Sequence, residues 1–420
     1  MVGVPNAAGR LGEVIDPVIP LLGEWMGRRP EALSLAQGMV SWDPPPVLRL
    51  AAQDALDQFG PALHRYGPTW GEPALLDVVT RKLTSSNALD LEGAFPLVTT
   101  GSNMAFAAIA QVLCDPGSEV ILPLPCYFNH AMAVQLAGGV VVPVEAGPIP
   151  DPEVLRAALT PRTRAIVTVS PNNPSGVVIP PAVLTAINHL CAERGLFHIS
   201  DEAYEQFVYG EVPHFSPGSL PGASAHTISL YSLSKTYGMA GWRMGYAAVP
   251  QTLRSAMAKV LDTIEICPTG LSQRVAQAVL SSDPSWVREK VASLAPRRGQ
   301  LLEAVQRWQD FGWPVKLWAQ PDGAFYGLLV MEGLTDPSGG PLTSDGLMRH
   351  LVLEEGVAAL SGNAFGLERA GACVLRLSYG MLDGAKLEEA LSRLRGGLGR
   401  LWDGPHSNSS VIGDGRNVQA

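Results

Sequence analysis

Lysine is scarce in this chain, with six residues against twenty-four arginines in a sequence of 420. Lys82, Lys259, Lys290, Lys316 and Lys386 lie in polar, helix-like sequence where a charged surface face accounts for them; Lys235 does not. Cysteine is sparse too. Cys114, Cys126, Cys191, Cys267 and Cys373 are odd in number, scattered and without C-x-x-C pairs, which argues against a disulfide framework or structural zinc and fits reduced thiols. No apolar run approaches the roughly 18 residues of a membrane span. No basic start followed by an apolar block marks a signal peptide, so a cytoplasmic protein with neither membrane nor metal is expected. Positive charge is short as well, and a formal charge of −9 argues against a nucleic-acid footprint. What remains is 46% hydrophobic and 16% charged sequence, ordinary for a soluble enzyme and long enough for two to three domains with a large core.

The segment over 229–246, SLYSLSKTYGMAGWRMGY, places Lys235 three residues after Ser232 and eight before Arg243, among small, aromatic and apolar neighbours. A lysine so placed suggests an amine held beside an anion and ready to form a Schiff base. Two other readings stay open. One is an ordinary loop lysine; the other is a serine nucleophile, because Ser232 and Lys235 fit S-x-x-K, a pattern that wants a helix start, a KTG segment and a secretory signal.

Along the chain, residues 1 to about 32 read as an arm with a short helix near 18–26, and the proline-rich 33–46 as an extended segment. A helix over about 47–58 follows, then a loop with Gly-Pro and Gly-Glu-Pro steps before a helix from Pro73. Short β-branched runs predict strands over 97–100, 119–122, 140–144, 165–170, 196–200, 227–232 and 244–248. Helices are predicted near 103–113, 129–136, 152–158 and 181–193. Such alternation implies an α/β fold with a doubly wound, mainly parallel seven-stranded sheet. After about Pro284 come long amphipathic helices over 286–311, 346–355 and 384–401 around strands over 324–330 and 374–378, a smaller α+β domain. The expected division is 1–46 (arm and extended segment joining the small domain), 47–284 (large domain), 285–402 (small domain) and 403–420 (disordered tail).

Ligands of doubly wound sheets lie at the carboxyl ends of the strands. There the sequence sets Ser102 and Asn103 at a helix start, Tyr127, Asn173, Asp201 with Tyr204, and Lys235. Taken singly, each has a plain structural explanation as a cap, a turn or core packing. Taken together they suit a phosphorylated pyridine aldehyde. Its phosphate takes Ser102, Asn103, Ser232 and Arg243, its face stacks on Tyr127, and its phenolic oxygen meets Asn173 and Tyr204. Asp201 pairs with the ring nitrogen. A carboxylate about 4 Å from a cation contributes about 4 kcal/mol at an effective dielectric near 20, roughly three pKa units, enough to keep that ring protonated. Lys235 then serves first as imine partner and next as the base at Cα.

The motifs RYGPTWGEPAL, TTGSNMAF, PCYFNH, SPNNPSG, SDEAYEQF, SLSKTYGMAGWRMGY, PDGAFY and LRLSYG resemble, from about Leu33 to Leu394, the fold type I pyridoxal-phosphate enzymes of the class I/II aminotransferase family. LSLAQGMVSWDPP and CYFNHAMAVQLAG look most like the plant-type aromatic/methionine aminotransferases. The resemblance implies pyridoxal 5'-phosphate, amino-acid and 2-oxo-acid substrates, and transamination of a neutral, aromatic or thioether donor. It also implies that Arg376 binds the α-carboxylate with Asn173 and the Gly38 backbone, that Tyr66 reaches the phosphate of a neighbouring subunit in a homodimer, and that Trp42 lies over the substrate side chain or else in the core. For Arg376, a structural carboxylate partner is the alternative. Two departures stand out. Ser361-Gly362 replaces a Pro-Gly, which is expected to loosen a loop near the site, and IEICPTG (264–270) offers no cation where dicarboxylate-specific relatives bring an arginine. A lyase or C–C bond-forming enzyme with the same cofactor, acting on a substrate such as S-adenosylmethionine, is the second reading. A non-catalytic regulator would need a DNA-binding unit that neither the arm nor the acidic balance supplies.

Overall fold

The computed structural model describes residues 7–402, so the expected tail at 403–420 lies outside the described residues. In chain order the strands are β1 (Leu33–Ser34), β2 (Ala94–Thr99), β3 (Glu119–Pro123), β4 (Val140–Val144), β5 (Thr163–Val169), β6 (Phe197–Asp201), β7 (Thr227–Ser232), β8 (Gly245–Pro250), β9 (Val315–Leu317), β10 (Tyr326–Glu332), β11 (Val357–Ala358), β12 (Leu360–Ser361) and β13 (Ala372–Ser378). The seven-stranded sheet has the order β2-β8-β7-β6-β5-β3-β4, and β8 alone runs against the others. Its inner strands are apolar on both faces, as helices packed on both sides require. The helix Ser102–Leu113 buries Ala105, Ala108 and Ile109 against it, the two alanines letting the helix axis come close.

A second, antiparallel sheet has the order β12-β13-β10-β9. The arm forms a separate two-stranded sheet beside it, β1 pairing in parallel with β11, Leu33 opposite Val357. The two sheets meet in one apolar cluster that packs Tyr204 and Phe207 against Phe325 and Tyr326. That contact brings β13 towards the ends of the large-sheet strands.

Some expectations are corrected. The single helix over 286–311 is two, Ser285–Ala292 and Ala295–Asp310; Pro296 has no N–H to give an interior turn and instead sits at a helix start. The helices Arg254–Ile264 and Gly270–Leu280 and strand β9 were not anticipated. Ser361 does not loosen its loop. Its N–H reaches Met348 Sδ at 3.4 Å and its Oγ accepts from Asn363 N at 3.2 Å, one bond that a proline cannot make and one that caps the turn.

Lys82 is not a surface charge either. Its Nζ lies 2.6 Å from Glu205 Oε1, 2.7 Å from Asn87 Oδ1 and 4.9 Å from the Tyr231 ring centroid. Asn87 donates on to Glu205 and Ser216, and Ser216 to Glu202, which also faces His214. This network sits behind the turn that follows β6. Removing one member of a buried pair strands the other charge, so Lys82→Met is expected to cost roughly 3–5 kcal/mol. The check is a urea titration in which the midpoint falls while the slope stays that of the wild type.

Candidate active site

Parallel strands share a direction, so their carboxyl ends form one rim. At the end of β2, Gly101 caps the helix Ser102–Leu113 with φ 88°, leaving first-turn N–H groups free to meet an anion. A Cβ there would lie 2.5 Å from Arg243 Nη2, so only glycine fits the cradle. Because β8 is antiparallel, its amino end lies at the same rim and carries Arg243 to the helix start. Arg243 is itself left-handed at φ 51°, an uncommon conformation for a side chain with a Cβ. Ser232 ends β7; its Oγ accepts from Ser234 N at 3.2 Å, which leaves the hydroxyl proton for another acceptor.

A cavity of about 330 Å³ opens at this rim and is lined by Gly38, Ser102, Asn103, Tyr127, Asn173, Asp201, Tyr204, Ser232, Lys235, Arg243 and Arg376. Two residues singled out from the sequence are not on its wall. Tyr66 is 83% exposed on a loop. Trp42 stacks on Phe207 with ring centroids 6.3 Å apart and donates from Nε1 to Thr236 O at 3.3 Å, a packing position.

Within the cavity, Lys235 Nζ donates to Gly38 O. Burial, then the positive charges of Arg376 and Arg243, pull its pKa down to about 8 against the opposing effect of Asp201. A neutral amine is therefore accessible near physiological pH. The S-x-x-K reading finds no support in the geometry, because Lys235 Nζ turns to Gly38 O and makes no hydrogen bond to Ser232 among the described residues. Arg376, 3% exposed, donates from Nη1 to Asn173 Oδ1 at 2.9 Å and from Nη2 to Ala36 O. Its Nε has no partner, and it faces phenols: Tyr326, whose ring centroid is 4.5 Å away, then Tyr204 and Tyr127. Among the described residues no carboxylate pairs with it. A desolvated guanidinium in that state is a binding site for an anion.

Several contributors were not read from the sequence. His130 Nε2 lies 3.1 Å from Asp201 Oδ2 while its ring stacks on Phe106 at 4.0 Å, and Asp201 Oδ1 accepts from Ala203 N at 3.1 Å. The carboxylate is thus fixed with an edge towards the cavity. Tyr326 OH is 2.8 Å from Tyr204 OH, and Asn173 Nδ2 is 3.4 Å away from the latter. Burial first, and then Tyr326, holds the Tyr204 phenol well above its usual range, so it stays a protonated donor. Both missed residues stand inside quoted motifs, PCYFNH and PDGAFY, where a lone polar ring among apolar neighbours was the available signal.

The set fits a flat phosphorylated pyridine aldehyde: an anion cradle at one end, an amine for the aldehyde, a fixed carboxylate, a phenol–amide pair, and a second anion site at Arg376. Comparison with known proteins agrees. Residues 30–394 match the family model for aminotransferase class I and II. The chain is 35% identical over 378 residues to the aspartate/prephenate aminotransferase of Thermus thermophilus, covering 88% of this chain and 92% of that one. It is 31% identical over 407 residues to the aromatic aminotransferase ISS1 of Arabidopsis thaliana, covering 92% and 94%. The solved aspartate aminotransferase of Rhizobium meliloti superposes with a TM-score of 0.85 at 28% identity, over 95% of this chain and all of that one. These relatives are aminotransferases, so the lyase or C–C bond-forming reading gains no support from them.

An amine with a pKa of about 8 attacks an aldehyde only when unprotonated, so pyridoxal 5'-phosphate added to cofactor-free protein is expected to react about tenfold faster per pH unit below pH 8 and at a constant rate above it. Stopped-flow absorbance reads that rate. Lys235→Arg should abolish borohydride trapping of the cofactor, a result checked by mass spectrometry of the reduced protein.

Proposed function

The chain belongs to the class I and II aminotransferases, pyridoxal-phosphate enzymes acting on amino acids and 2-oxo acids, and from that premise we propose that it takes amino donors with neutral, aromatic or thioether side chains. The observation that carries this reading is the count of cations on the cavity wall. Lys235, Arg243 and Arg376 line it, and they are committed in turn to the aldehyde, the phosphate and the α-carboxylate. Among the described residues of this chain, none on the wall is left for a second carboxylate on the donor. The rest of the wall includes Ile19, Met39, Phe128 and Val169, which suit an apolar side chain. Relatives named for aspartate and for aromatic amino acids both exist, so the choice rests on this wall and not on kinship.

When bound, pyridoxal 5'-phosphate supplies an electron sink for negative charge at the substrate Cα and carries the amino group from donor to acceptor. The residues do the rest. Ser102, Asn103, Ser232, Arg243 and the helix N-terminus hold the phosphate. Asp201, fixed by His130 and Ala203 N, keeps a proton on the ring nitrogen, and Asn173 with Tyr204 orients the phenolic oxygen. Tyr127 stacks on the ring. Arg376, with Asn173 and the Gly38 backbone, binds the α-carboxylate, which sets the Cα proton within reach of Lys235. Lys235, released by the incoming amine, moves that proton.

A homodimer with shared sites completes the reading, with Tyr66 reaching the phosphate of the neighbouring subunit. Support comes from its 83% exposure and from apolar exposed residues, Leu50, Leu56 and Phe59 on the preceding helix Val47–Phe59 and Ile266 just after the helix Arg254–Ile264. The five free cysteines support a reducing, cytoplasmic setting. The chain divides at 46/47 and 284/285, with the arm counted with the small domain on the strength of the β1–β11 pairing.

The deciding experiment mixes the holoenzyme with a panel of amino acids and follows the cofactor's absorbance together with release of the 2-oxo acid. Aromatic amino acids and methionine are expected to react at least tenfold faster than aspartate; equal or faster aspartate turnover overturns the donor class. Arg376→Met should cost roughly 2–5 kcal/mol of kcat/KM, a fall of about 30-fold or more, for every donor alike.

A further inference from the structure

The extended segment between β1 and the next helix is a strap across the site, and its anchors are few. Leu35 N donates to Ala358 O at 2.8 Å, and Ser378 N donates to Leu35 O at 2.6 Å, so the strap begins tied between the ends of β11 and β13. Beyond Ala36, whose carbonyl takes the Arg376 guanidinium, residues 37–42 make no backbone–backbone hydrogen bond among the described residues. Yet Gly38 and Met39 line the cavity. Three side chains hold this stretch: Lys235 on Gly38 O, Trp42 on Thr236 O, and Arg297. Arg297, in the first turn of the helix Ala295–Asp310, donates from Nη2 to Ser41 Oγ at 3.0 Å and from Nη1 to Gly380 O at 2.9 Å. It makes no ion pair among the described residues; burial lowers its pKa against the opposing charge of Asp383, and its two hydrogen bonds go to uncharged oxygens. At the same place Met39 O lies against Gly380, where any Cβ would collide with it. The strap and the end of β13 are therefore packed backbone to backbone, with Arg297 bridging them.

Lys235 cannot keep its hold on Gly38 O while its amine is engaged by the cofactor. We propose that Arg297 is a positioning residue that pins the strap to the end of β13, keeping Gly38 and Met39 in register with Arg376 while Lys235 is occupied. Arg297 touches neither substrate nor cofactor; it acts through Ser41 and Gly380. This rests on the reading that the donor's α-carboxylate binds at Arg376.

The holoenzymes of Arg297→Met, Arg297→Lys, Ser41→Ala and the double variant Arg297→Met/Ser41→Ala test it, using the fastest donor of the panel and, by titration of the cofactor's absorbance, α-methylphenylalanine, which lacks the Cα proton. Arg297→Met is expected to raise KM and the dissociation constant of α-methylphenylalanine at least fivefold while kcat changes less than twofold. Arg297→Lys should recover part of the loss. Ser41→Ala should weaken binding twofold or more in the wild type and not at all once Arg297 is gone, because the two act as one contact. KM unchanged in Arg297→Met, a kcat loss in place of a KM rise, or additive effects of the two changes would overturn the proposal. If Arg297→Met does not fold, an unchanged KM in Ser41→Ala does so. A wild-type enzyme that ignores α-methylphenylalanine indicts the donor class and not the pin, which is then judged on the KM of the reactive donor.

Discussion

A buried guanidinium that pairs with no carboxylate among the described residues governs this molecule. Arg376 sits on a central strand of the small sheet, held by an amide oxygen and a backbone carbonyl and surrounded by phenol rings. Those partners orient the charge without neutralising it, and the cost of burying it is met only when an anionic ligand arrives. Its field reaches Lys235, where it helps keep the amine neutral enough to react. On the proposed reading, carboxylate recognition and amine reactivity are one electrostatic arrangement.

The sheet supplies the positions that arrangement needs. Six parallel strands deliver their ends to one rim, and the single reversed strand brings Arg243 to the same place from the other direction. Behind the rim, the turn after β6 is two-faced: Asp201 and Tyr204 point into the cavity, while Glu202 and Glu205 enter the network of Lys82, Asn87, Ser216 and His214. There, burial opposes charge on His214, but the hydrogen bond and charge of Glu202 outweigh it and raise its pKa.

Much of this was legible in the sequence because it is local. A strand end followed by a small polar residue or a fixed turn can be read from a dozen letters, and every large-sheet strand lies within three residues of its expected bounds. What escaped is set by tertiary partners. Lys82 looks like any helix-surface lysine until Glu205, far along the chain, comes to meet it. His130 and Tyr326 are ordinary aromatic-like residues in their own segments and acquire a role only beside Asp201 and Tyr204. Trp42 shows the converse, a large ring in a suggestive motif whose face is taken by Phe207. Ser361 was misjudged because the loss of a proline is visible in sequence and the two bonds that replace it are not.

The contact between Ala36 and Arg376 spans 340 positions of chain, and that between Gly38 and Lys235 spans 197. During synthesis the strap leaves the ribosome well before β13, the strand that must receive it. The large sheet can assemble while the strap still has nothing to lie on, so the site is completed only after β13 has been made. Separation on this scale makes closure of the site a late and slow event in folding, and it leaves the nascent enzyme chemically silent until that strand is in place.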